Sequence, residues 1–223
     1  ETQIEADRRA IDDAIGRLRR QLAKVVKTRD LHRAARKKIP YPIIALVGYT
    51  NAGKSTLFNR MTGAKVMAKD MLFATLDPTM RALELPGGPP VILSDTVGFI
   101  SDLPTELVAA FRATLEEVRS ADLILHVRDI SHPETEAQAE DVRAILAGLG
   151  VAEDRLILEV WNKTDLLSPD AQATALARAA RRPDVHLISA LTGEGIDQLL
   201  PRLAQSIGEP ATQAEVTLEF SEG

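Results

Sequence analysis

The apolar positions of this chain change rhythm near residue 40. Ile4, Ile11, Ile15, Leu18, Leu22 and Val25 recur at mostly three- and four-residue spacing, a seam along one face of a long helix. Beyond Val26 the seam gives way to Lys27, Arg29, His32, Arg33, Arg36, Lys37 and Lys38, and Pro40 and Pro42 end it, because proline removes a helix donor and constrains the residue before it. From there short apolar runs alternate with helical periods. Residues 42–47 are continuously apolar, as in a strand buried on both faces. Residues 80–85 alternate, and 91–94 follow a Gly-Gly-Pro-Pro turn, which predicts a hairpin. Three more strands are predicted at 123–127, 156–161 and 185–188, and helices at 56–61, 105–119, 134–147, 169–180 and 196–207. Residues 215–220 read as a lone strand. Such alternation predicts an α/β fold: a mostly parallel six-stranded sheet with helices on both faces, preceded by a long basic amphipathic helix. The expected division is a helical linker at 1–39, a nucleotide-binding domain at 40–209 and the start of a further segment at 210–223.

Composition changes this picture in few places. The 223 residues are 45% hydrophobic and 26% charged, which suits a packed core. Cysteine is absent, which excludes disulfides, thiol catalysis and thiolate metal sites. His32, His126, His132 and His186 are scattered and have no metal-ligand spacing. No apolar run approaches the roughly 18 residues of a membrane helix, and no charged-then-apolar leader opens the chain. A cytoplasmic, monomeric protein with no membrane partner is expected. The chain begins at Glu1 and ends in a strand-like pattern, so a piece of something longer is also expected. The formal net charge of -5 hides an asymmetry: residues 1–38 carry twelve Lys/Arg against six Asp/Glu, and the remainder fifteen against twenty-six. The basic block reads either as a solvated helix face or as an arm for the phosphate backbone of RNA.

Candidate chemistry gathers at predicted strand ends, where sheets of this kind bind ligands. Gly48-Tyr49-Thr50-Asn51-Ala52-Gly53-Lys54-Ser55 fits G-x-x-x-x-G-K-[ST], directly after a strand and at the opening of a helix that Thr56 continues. The glycines let backbone amides turn inward around phosphates, and the helix N-terminus adds its positive dipole end. Lys54 is placed to reach the outer phosphates and Ser55 to offer its hydroxyl to Mg²⁺. Asp95-Thr96-Val97-Gly98 follows the strand at 91–94. Asp95 can face Mg²⁺ through a water, and Gly98 can bring its amide to a γ-phosphate with no side chain in the way. Between them lies Phe73-Ala74-Thr75-Leu76-Asp77-Pro78-Thr79, in which Thr75 and Thr79 are both candidate metal-sensing hydroxyls. Lys54, Thr75 and Gly98 are the catalytic candidates.

Asn162-Lys163-Thr164-Asp165 follows the strand at 156–161. A carboxylate at Asp165 can accept two hydrogen bonds from guanine and none of that kind from adenine, so it would reject the wrong base. Ser189-Ala190-Leu191 closes the next strand, and the Ala190 amide is placed to meet the guanine carbonyl. GTP and GDP are the expected ligands.

GYTNAGKST at 48–56, LFATLDPTMR at 72–81 and DTVGFISDLP at 95–104, with ETQIEADRR at 1–9, resemble the HflX family of translation-factor-class GTPases. The resemblance implies that Thr75 is the magnesium-binding switch residue. It implies a Mg²⁺-dependent, GTP-hydrolysing switch that associates with the large ribosomal subunit and its rRNA, in ribosome splitting or rescue under stress. Phe99 stands where relatives often carry a water-orienting Gln, so slow intrinsic hydrolysis stimulated by a partner is expected. Asn51 matches the position that ligates K⁺ in potassium-activated relatives; ordinary turn chemistry also explains it. The alternatives are a nucleotide-binding adaptor with negligible hydrolysis, and a G protein acting on another RNA. Trp161 and His126 are expected in the core. His132 is expected to have no partner, and the acidic run Glu134, Glu136, Glu140, Asp141 to be a solvated face.

Overall fold

Strand β1 (Ile43–Val47) lies inside a six-stranded sheet. In the computed structural model, which describes residues 41–64, 79–96, 98–99, 117–151 and 157–208, four of its five residues are fully buried. Around it stand β2 (Thr79–Leu83), β3 (Val91–Asp95), β4 (Leu123–Asp129), β5 (Ile157–Asn162) and β6 (Val185–Leu187) in the order β2-β3-β1-β4-β5-β6. Only β2 runs antiparallel, as the hairpin partner of β3. Chain order reverses on either side of β1, so a crevice opens beyond its carboxyl end between β3 and β4. The linker helix at 1–39, the Phe73–Asp77 stretch with Thr75, Val97, most of the helix expected at 105–119 and the segment 210–223 lie outside the described residues.

Period-two burial sorts the core into two faces. Ile44 and Leu46 join Leu57, Phe58, Leu93, Leu125, Val160, Leu199 and Leu203 on one side, beneath helices α1 (Lys54–Thr62) and α4 (Ile196–Gly208). Ala45 and Val47 face the other way, toward Phe99, Ile124, Val142 and Leu146, the last two from α2 (Thr135–Gly148). A smaller group, Trp161, Ala175 and Val185, lies under α3 (Pro169–Ala179). No helix among the described residues is long and apolar enough to cross a membrane.

The ends of β4 and β5 extend past the apolar runs that announced them. Their ladder continues through Arg128↔Trp161 and Asp129↔Asn162, because the polar side chains there find buried partners. Glu159 accepts from Arg128 Nη1 at 3.0 Å and from the Trp161 indole at 3.0 Å, with Arg143 and Arg182 at 3.3 and 3.2 Å. Burial works to raise the Glu159 carboxyl, but the Trp161 hydrogen bond and the Arg128 charge outweigh it and bring it down to about 2. Burial pushes the His126 imidazole to about 4, against the opposing pull of Glu159. Trp161 is in the core as expected, with the Arg128 and Arg178 guanidinium carbons 5.5 and 4.9 Å from its ring centre. Two expectations need correction. Glu136 is not merely solvated, since it pairs with Arg128 at 2.8 Å and Arg178 at 2.5 Å. His132 does have partners, for its Nδ1 accepts the Glu134 amide at 3.1 Å and lies 3.2 Å from Gln138 Nε2.

Candidate nucleotide site

The loop after β1 is shaped by close approaches that only glycine allows. Gly48 has φ 152°, and a Cβ there would lie 2.2 Å from the Val127 carbonyl oxygen. Gly53 caps α1 at φ 94°, and a Cβ there would lie 2.2 Å from Asn162 Nδ2. Asn51 takes the left-handed conformation at φ 61°, which Asn tolerates better than most residues. These turns start α1 at Lys54, two residues before the helix expected at 56–61, so its first-turn amides point into the loop rather than into a preceding turn of helix. A helix N-terminus that opens on a concave loop is an anion cradle.

Lys54 is 6% exposed. Its ammonium donates to the Gly48 carbonyl at 3.1 Å and the Tyr49 carbonyl at 2.8 Å, folding over its own loop. Burial lowers its pKa to about 8, and the Asp95 carboxylate only partly resists. Ser55 donates its hydroxyl to Asp95 Oδ2 at 2.7 Å. The register Leu46↔Asp95 brings these residues together by ending β1 and β3 side by side. Thr96 ties the same corner down by donating its hydroxyl to the Leu46 carbonyl. A serine hydroxyl that donates to a carboxylate keeps a lone pair for a hard cation, so the pair fits Mg²⁺ chemistry. Thr56 continues α1.

Gly98 and Phe99 lie along the phosphate loop. The Phe99 amide donates to the Gly48 carbonyl at 3.1 Å, and the Phe99 carbonyl accepts from the Thr50 amide at 2.8 Å. A Cβ on Gly98 would come within 2.9 Å of Thr50 Cα and 3.1 Å of Lys54 Nζ. The Phe99 ring is 1% exposed and packs with Ala45, Val47 and Ile124. It belongs to the core of the sheet rather than to the surface of the loop.

The base side is built from the ends of β5 and β6. Asn162 is 2% exposed. Its Nδ2 donates to the Ala52 carbonyl at 2.8 Å and its Oδ1 accepts the Ala190 amide at 2.9 Å, so one side chain joins the phosphate loop to the base loop. The amide expected to meet a guanine carbonyl is therefore already engaged, and a bound base must share it. Lys163, in the left-handed conformation at φ 67°, donates to Asp129 Oδ2 at 2.7 Å. Thr164 is buried, and Asp165 is exposed in the short 3₁₀ turn Thr164–Leu166. Ser189 is fully buried and its hydroxyl accepts the Thr192 amide at 3.0 Å; the Leu191 side chain is exposed. Two residues that sequence reading missed also touch these loops. Asp129 holds Lys163, and its place at the end of β4 was the available signal. Arg60 donates to the Ala190 and Leu191 carbonyls, and no local pattern marks it.

Residues 43–163 match the family described as 50S ribosome-binding GTPase. The chain is 52% identical over 223 residues to a GTPase HflX of Magnetococcus marinus and 43% identical over 223 residues to that of Escherichia coli. All of the chain is covered in both, against 51% and 52% of those proteins, so it spans about half their length. A crystal structure of a GTP-binding protein from Sulfolobus solfataricus in complex with GDP superposes with a TM-score of 0.59 at 27% identity, over 89% of this chain and 61% of that one. With more than half of its residues matched, the chain belongs to the 50S ribosome-binding GTPase family, and the HflX resemblance carried by its motifs holds along its whole length.

Proposed function

We propose that this chain is the nucleotide-binding part of a cytoplasmic, monomeric, Mg²⁺-dependent GTP switch that hydrolyses GTP and associates with the large ribosomal subunit, in splitting or rescue under stress. The observation that carries the nucleotide reading is Asn162, which holds the Ala52 carbonyl and the Ala190 amide together. That link spaces a phosphate cradle and a base loop as one ligand requires. Amides of the phosphate loop and α1 would hold the phosphates, Asp165 would accept the guanine edge, and Ser55 with Asp95 would hold Mg²⁺, with Thr75 completing its ligands. Mg²⁺ bound there would neutralise charge on the phosphate oxygens. The chain's own part is positioning: Lys54 faces the outer phosphates, and the Gly98 amide faces the γ-phosphate.

The buried Phe99 ring favours slow intrinsic turnover, because no polar group from that side chain reaches a water. It also keeps a second reading in play, a nucleotide-binding adaptor. A K⁺ beside Asn51 would supply positive charge in place of an arginine finger, and the basic residues 27–38 are where rRNA contact belongs. The test is GTP turnover with and without large subunits, in KCl and in NaCl at equal ionic strength, beside GDP and ADP titrations. Stimulation by subunits, faster turnover in KCl and weak ADP binding are expected. ADP binding as tight as GDP would overturn the base assignment, equal rates in the two salts would remove the K⁺, and no stimulation would leave the adaptor.

A further inference from the structure

Arg60 lies in the last turn of α1, whose first turn forms the phosphate cradle. It reaches across 130 residues of sequence to the loop that closes the base site. Its Nε donates to the Ala190 carbonyl at 3.2 Å and its Nη2 donates to the Leu191 carbonyl. Two successive carbonyls aimed at one planar fork are an acceptor that a guanidinium matches and an ammonium does not. Gly193, at φ 95°, lies against the guanidinium, since a Cβ there would sit in ordinary contact, 3.6 Å from Arg60 Nη1. The loop fixes its own shape through Ser189 N–H to the Glu194 carbonyl at 2.9 Å and Gly193 N–H to the Ser189 carbonyl at 2.8 Å. These bonds set the curvature of the loop, while its placement against the rest of the site needs outside anchors. Asn162 is one anchor, on the Ala190 amide. Among the described residues Arg60 is another, on the Ala190 and Leu191 carbonyls.

We propose that Arg60 is a positioning residue for base recognition, orienting the Ser189–Leu191 loop so that the Ala190 and Leu191 amides face the carbonyl of a purine base. This rests on the reading of that loop as the base loop. The Ala190 carbonyl and the Leu191 amide are one peptide group, so a cation on the carbonyl also makes the amide a better donor. Because α1 carries the cradle at one end and Arg60 near the other, one nine-residue helix sets the distance between phosphate and base subsites.

The test compares the unaltered chain with Arg60→Ala and Arg60→Lys in binding GDP, IDP and inorganic pyrophosphate, with thermal unfolding of each ligand-free chain. GDP and IDP share the base carbonyl, and pyrophosphate uses the cradle alone. Arg60→Ala is expected to weaken GDP and IDP by the same factor, about 10- to 150-fold, as for loss of charged hydrogen bonds. Pyrophosphate binding should stay as it was, the unfolding midpoint should fall by only a few degrees, and Arg60→Lys should recover part of the loss in base affinity. Unchanged GDP affinity, or equal losses for GDP and pyrophosphate, would overturn the proposal. Equal affinity of the unaltered chain for GDP and ADP would instead sink the base-loop reading, independently of any variant.

Discussion

Lys54 carries its charge at a cost that phosphate removes. Its ammonium is buried against carbonyls of its own loop, and burial outweighs the pull of Asp95, so its pKa falls to about 8 from 10.5. Between those values the ligand-free folded chain binds fewer protons than the unfolded chain, so its stability rises with pH across that window. A bound phosphate restores the full charge, and GDP binding should therefore take up protons above pH 8. Calorimetry at pH 8.5 in two buffers of different ionisation enthalpy reads this directly, and affinity should decline as pH rises further. Binding heats independent of buffer would contradict the lowered lysine. Phe99 makes a second case at this scale. Its ring fills a cluster with Val47 and Ile124, so Phe99→Ala should cost about 3–5 kcal/mol in denaturant unfolding. It should not speed GTP turnover. A loss below about 1 kcal/mol would place the ring outside the core.

At the scale of elements, β4 and β5 hold a charged layer between the sheet and helices α2 and α3. Glu159 is its hub, accepting from Arg128 and Trp161 with Arg143 and Arg182 beside it. Removing one charge from such a layer strands the others, so Glu159→Gln should destabilise the chain by about 3–5 kcal/mol at neutral pH. The carboxyl lies at about 2 against an ordinary 4.5, so the stability it confers is present above pH 4.5 and lost as pH falls toward 2. The variant should show a flatter acid limb across that window when unfolding is followed against pH. An unchanged acid limb would mean that Glu159 is not the hub. This layer was illegible in the sequence, where Glu159 is one acid in an apolar run. Its partners come from β4, α2, β5 and the turn after α3, and only the fold brings them together. The strands were legible because alternation and continuous apolar runs state directly which faces are covered. The phosphate loop was legible because its glycines are consecutive with the helix they open. Arg60 was not, since a basic residue in a last helical turn is ordinary dipole chemistry until a loop 130 residues away is seen beneath it. The Ala190 amide could be placed at the base, but its existing bond to Asn162 could not be foreseen.

Across the whole chain, opposite charges separate into a basic first block and an acidic remainder. On the proposed reading the acidic part would meet phosphate through a local cradle and Lys54, so its overall sign would matter little to nucleotide binding. If residues 27–38 contact rRNA, co-sedimentation of the chain with large subunits should fall steeply as salt rises. Reversing four of those charges should flatten the slope without altering GDP affinity. Binding that ignores salt would move the contact to another surface.

The Asn162 link also sets an order on synthesis. The Ala52 carbonyl waits for a partner 110 residues later, and the loop at 190–191 must arrive before Asn162 and Arg60 are both engaged. A growing chain that has released only β1 to β4 therefore holds a phosphate loop with no clamp on its far side, and contacts this distant in sequence form slowly. Nucleotide present while β5 and β6 dock would favour the finished arrangement, since a ligand that binds only the native state stabilises it. On the proposed role, GTP would then act as a folding ligand for the site as well as a substrate.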